Sequence, residues 1–164
     1  MRFHTPTECE EWLMGRERIR PDIANAKPAL RLEYPSSSHR MYSWAHWIAS
    51  SITCEDRCLL WITEWGIWSS SENWHLYYRL RQSYHDMRLI DETPGHLFLA
   101  HETADLASFL QIAMLNGWGG YVLPAANYVN AFFSHDEYFD FYSDDPSLID
   151  QVRNALIDSK SVAH

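Results

Sequence analysis

The stretch VNAFFSHDEYFDFY, residues 129–142, decides how the chain folds. Two β-prone runs, residues 129–133 and 137–142, flank the polar segment Ser134, His135, Asp136 and read as the strands of an antiparallel hairpin. Period two sorts the second strand: Asp136, Tyr138, Asp140 and Tyr142 fall on one face, and Glu137, Phe139 and Phe141 on the other. The phenylalanine face is expected to be core. The opposite face alternates carboxylates with tyrosines, and Asp144 and Asp145 extend it.

Working outward from the hairpin, Asp145 and Pro146 open a final helix with Leu148, Ile149, Val152 and Leu156 on its apolar stripe. Upstream, residues 102–116 carry Leu106, Phe109, Leu110, Ala113 and Met114 at helical spacing, and Gly117 ends them. Residues 57–65, RCLLWITEW, are nearly continuously apolar, as expected of a central strand covered on both faces. Shorter strands are expected at residues 30–34, 96–100 and 121–123. Further helices are expected after Pro35, carrying Met41, Trp44, Ala45, Ile48 and Ile52, and around Trp74, Tyr77, Tyr78 and Tyr84. Thr7 and Glu10 stand at capping-box spacing for a first helix that Gly15 would end, and residues 15–29 form the longest loop-like stretch. The expected architecture is α+β: one globular domain over residues 1–164, with a mixed or mostly antiparallel sheet of about five or six strands. Helices pack on that sheet, and the C-terminal hairpin is followed by a helix.

Composition narrows the function classes. The chain has 164 residues, 46% hydrophobic and 21% charged, which suits a packed core rather than disorder. Three cysteines, Cys9, Cys54 and Cys58, are an odd number that fits free thiols better than a disulfide framework. With no signal-like N-terminus and no apolar run of membrane-spanning length, a cytoplasmic location is expected. The net charge of −9 is segregated: residues 1–88 carry 11 basic and 11 acidic side chains, whereas residues 89–164 carry 2 and 11. Such an acidic region disfavours direct binding of nucleic acid or an anionic membrane and attracts basic surfaces.

Several groups are candidates for function. The first is the partner-binding set Asp136, Tyr138, Asp140, Tyr142, Asp144 and Asp145, where tyrosines supply contact area and carboxylates supply charge complementarity. Its plain alternative is a solvated edge strand whose charges discourage aggregation. The second is a pocket at the strand-to-helix passage, lined by Trp65, Trp68, Ser70 and Glu72, although helix capping explains the serines and Glu72 without a ligand. Arg79, Arg81 and Arg88 follow, better explained by intramolecular pairs than by a phosphate site, since no glycine-rich phosphate loop accompanies them. His96, His101, Glu102, His135, Asp136 and Glu137 are the natural metal-ligand set, and His96, His101 and His135 are the residues a small hydrolase or metal-dependent enzyme would use. No HExxH, paired Cys/His or GxSxG signature surrounds them, so no cofactor or metal is expected.

The stretch WITEWGIWSSSENWHLYYRLRQS, residues 61–83, followed by PGHLFL, residues 94–99, resembles a pattern in small uncharacterised bacterial single-domain proteins. The resemblance implies a bacterial origin and a stable single domain, and it carries no activity or catalytic residue. The residues therefore point to a non-enzymatic binding domain, in concrete form an immunity-type inhibitor that meets the basic surface or active site of a toxin. The alternatives are the histidine enzyme and an oligomeric adaptor that pairs through its exposed strand, in which facing carboxylates would oppose a symmetric contact.

Overall fold

The computed structural model describes residues 1–14, 26–52, 56–65, 74–126 and 129–158. Seven strands make one open antiparallel sheet: β1 (Arg2–His4), β2 (Leu30–Glu33), β3 (Cys58–Glu64), β4 (Gly95–Phe98), β5 (Gly119–Pro124), β6 (Asn130–Phe133) and β7 (Tyr138–Tyr142). Their spatial order is β1-β4-β3-β5-β6-β7-β2. The described helices are α1 (Pro6–Met14), α2 (Ser38–Trp47), α3 (Trp74–Ser83), α4 (Thr103–Leu115) and α5 (Pro146–Asp158). The α+β class and the antiparallel sheet agree with expectation, but among the described residues the strands number seven rather than five or six. The strand absent from the sequence reading is β1, three residues held by pairing with β4.

Local chemistry explains the element ends. The first helix is capped by Thr5, not Thr7: Glu8 N donates to Thr5 Oγ1 and Thr5 N donates to Glu8 Oε2, with Pro6 at the first helical position. Ser37 caps α2, which closes in a π-helical turn at Ile48–Ile52 without leaving the core. The end of α4 is a Schellman motif, in which Gly117 at φ +63° lets its own N–H reach Met114 O while Trp118 N donates to Ala113 O. Gly15 and Gly66, read as terminators, lie outside the described residues.

The two faces of the sheet differ. On one, the buried side chains of α2, α4 and α5 meet Leu60, Ile62, Phe98, Phe133, Phe139 and Phe141 in the main core. Each such side chain removed from water contributes about 1.5–3 kcal/mol. On the other, among the described residues, α1 contributes Cys9, Trp12 and Leu13 to a smaller cluster with Leu59, Leu97 and Leu123, against which Trp61, Tyr121 and Tyr142 also pack. Both faces of β3 are thus lined with apolar residues, which accounts for its unbroken apolar run. Among the described residues no helix is long and apolar enough to cross a membrane.

Candidate binding surface

The hairpin begins with an unfavourable backbone conformation. Ser134 N donates to Tyr138 O and Glu137 N donates to Ser134 O, closing a three-residue loop over His135, Asp136 and Glu137. The last loop position requires a left-handed conformation and is usually glycine, yet Glu137 occupies it at φ +64°. A side chain there costs about 1–2 kcal/mol. The sequence expectation that Glu137 begins the strand on the phenylalanine side is therefore corrected: the strand starts at Tyr138, and Asp136 and Glu137 both sit exposed in the turn.

Beyond the turn, period two holds. Phe139 and Phe141 are fully buried in the main core, and Tyr138, Asp140 and Tyr142 lie on the opposite face. Register brings Trp61, Tyr121, Phe132, Asp140 and Arg31 directly opposite one another across β3, β5, β6, β7 and β2. Ring centroids separate Trp61 from Tyr121 by 6.4 Å, Tyr121 from Phe132 by 5.1 Å, and Phe132 from Tyr138 by 6.2 Å. All four aromatics are half-buried.

Asp140 is the main correction to the acidic-strand reading. β7 is not an edge strand, because β2 pairs along it, and Asp140 is only 3% exposed. Arg31, directly opposite, donates from Nε and Nη2 to the two carboxylate oxygens at 2.7 Å each. Its guanidinium also lies over the Tyr138 ring at 3.9 Å from the centroid. The hydrogen bonds to Asp140 hold the Arg31 proton more firmly than usual. Asp140 is therefore a buried, neutralised anchor rather than an exposed charge. Burial, reinforced by Asp140, pushes the Tyr142 phenol up to about 12.

The remaining exposed carboxylates do not follow the strand. Asp144 and Asp145 lie past the far end of the five-residue strand from Asp136, roughly 15 Å or more away. Asp145 is occupied in capping α5, accepting from Ser147 N at 2.8 Å, and these bonds with Ser147 lower its pKa. At the near end the fold assembles a different group. Glu64 at the end of β3 accepts from His135 Nδ1 at 2.6 Å, and His135 Nε2 is 3.5 Å from Asp136. Glu33 is opposite Tyr138, and Tyr34 N donates to Glu137 O. Glu33, Glu64, Asp136 and Glu137 thus lie along the same end of the sheet as Tyr121 and Tyr138, with Glu64 and Asp136 joined through His135 and Glu33 about 19 Å from Glu64 across four strand spacings. Sequence reasoning missed Glu33 and Glu64, which share no local pattern with the hairpin. The hydrogen bond to Glu64 raises the pKa of His135, and Glu64 in turn adds to the burial that raises that of Tyr121.

The other candidates separate. Trp65 packs edge-on against Trp118 at 5.0 Å and Tyr77 at 6.3 Å, partly buried against the aromatic core. Trp68, Ser70 and Glu72 lie outside the described residues. His101 is exposed after β4, His135 is in the hairpin turn, and His96 is fully buried. Among the described residues no three His, Cys, Asp or Glu side chains converge as metal ligands. His96 Nδ1 contacts Leu60 O at 3.3 Å, so Nδ1 carries the proton and Nε2 accepts from the Tyr77 hydroxyl. Burial drives the His96 pKa down to about 3, which leaves a neutral core histidine.

Arg81 pairs within the molecule, as the sequence suggested. It donates to Asp86 Oδ2 and the Thr93 hydroxyl, and stacks on Phe3 at 4.5 Å, fully buried. Arg88 Nε holds the other Asp86 oxygen at 2.7 Å. Burial opposes ionisation of Asp86, yet the bonds from Arg88 and Arg81 outweigh it and lower its pKa.

Comparison with known proteins gives no match: no family model, no curated protein and no solved structure matches the chain.

Proposed function

We propose that the protein is a non-enzymatic binding domain of the immunity type, which covers a basic surface or active site of a toxin, in the most concrete form one that processes nucleic acid. The observation that carries this reading is the placement of Glu33, Glu64, Asp136 and Glu137 along one end of the sheet, with Glu64 and Asp136 bridged by His135, beside half-buried tyrosines. Clustered carboxylates present a negative potential of the kind that phosphates offer to a basic cleft, and tyrosines supply contact area at low entropic cost. Glu137 adds a second support: an acidic residue stands where glycine would relieve backbone strain, as at sites where strain serves function.

Affinity capture from the host tests the reading, with the wild type compared against Glu64→Gln combined with Asp136→Asn. A captured basic protein whose recovery falls at least tenfold in the variant, and falls for the wild type as salt rises from 50 to 300 mM, is the expected result. Recovery of the same partners by both forms overturns it.

A further inference from the structure

We infer that the aromatic row on the half-open sheet face is an arginine-reading surface, on which an arginine-bearing segment of the basic partner lies. The inference rests on the binding reading above and adds the chemistry of recognition.

The protein carries an internal example. Arg31 keeps more than half of its side chain in water, at 55% exposure, yet is held by a ring below and a carboxylate fork beside it. The next unit of the row repeats those parts: Tyr121 and Phe132 supply the ring surface, and Glu64, with 46% of its side chain exposed, supplies the carboxylate. Glu64 lies close over the sheet because Gly119 has no side chain; a Cβ there would stand 2.7 Å from Glu64 Oε2. One Glu64 oxygen accepts from His135, a half-buried partner in the hairpin turn that an incoming guanidinium can displace.

Charge complementarity selects the occupant. The acidic rim of Glu33, Glu64, Asp136 and Glu137 repels a nucleic-acid backbone. A second copy docking through this face under two-fold symmetry would set like-charged rims against each other. A guanidinium is favoured over an ammonium because it is planar, weakly hydrated, and able to stack and fork at once.

The test uses two synthetic peptides of equal length and charge, one alternating arginine with serine and one alternating lysine with serine, titrated into the full chain by calorimetry. The arginine peptide should bind about tenfold more tightly. Tyr121→Ala should erase that preference, Tyr121→Phe should retain it, and Glu64→Gln should weaken both peptides several-fold, with thermal unfolding confirming that each variant folds. Equal affinity for the two peptides, no binding of either, or a preference that survives Tyr121→Ala overturns the inference. So does a stable dimer of the protein alone in sedimentation that Tyr121→Ala dissociates. If the peptides bind equally while the acidic variants still lose the captured partner, arginine reading falls and the binding function stands.

Discussion

Two arginine–aspartate pairs of the same chemistry sit in opposite surroundings. Arg81 and Asp86 are enclosed, with side-chain exposures of 0% and 5%, and Thr93, Phe3 and Tyr77 complete their shell. Arg31 and Asp140 form an equally direct pair, but Arg31 is mostly in water and only Asp140 is buried. The first pair ties the segment after α3 to β4 and the core beneath it. The second closes β2 onto β7 and leaves a stacked guanidinium at the surface. Burial, rather than pairing itself, decides which of them governs stability: taking either partner from an enclosed pair strands a charge away from water.

That difference sets the order of expected effects. Asp86→Ala should destabilise most, by about 3–5 kcal/mol in urea unfolding near neutral pH, because it leaves the Arg81 charge enclosed. The Asp86 pKa is lowered, so its contribution is present above the ordinary carboxylate value near 3.8 and disappears as pH falls through the folded value. The gap between wild type and variant should narrow accordingly in acid. Arg31→Ala should cost less, about 1–3 kcal/mol, since the stranded Asp140 lies on a face water reaches more readily. A loss for Arg31→Ala as large as that for Asp86→Ala would break the comparison. Glu137→Gly should act in the opposite direction, raising stability by about 1 kcal/mol through relief of the left-handed strain while weakening partner capture. The smallest effect belongs to His135→Gln. Because Glu64 raises the His135 pKa, its contribution is full below about 6.5 and lost as pH rises through the folded value. The variant should be measurably less stable than wild type at pH 5.5 and indistinguishable from it at pH 9.

The parts legible in the sequence are those encoded locally. The apolar stripes of α4 and α5, Gly117 as a terminator, and Phe139 and Phe141 as core all follow from periodicity and turn chemistry. Two candidate capping pairs overlap in the first helix, and Thr5 takes the role because Pro6 fits the first helical position that follows it. The candidate surface was less legible. Period two correctly gives the face on which Asp140 lies, but not what covers that face: Arg31 is 109 residues away in sequence and meets Asp140 only through the β2–β7 register. The acidic group is likewise gathered from β2, β3 and the hairpin turn by long-range pairing. Charge segregation in residues 89–164 therefore marks the hairpin but not Glu33 and Glu64, which lie at the same end of the sheet and come from the evenly charged first part.

The most direct measurement is amide hydrogen exchange of the protein alone and in complex with the partner captured from its host. Binding through the half-open face predicts new protection at Glu33, at the end of β3 and across residues 132–138, with α4 and α5 unchanged. Protection confined to the helical side, leaving the hairpin turn exchanging as in the free protein, would contradict a binding role for this face.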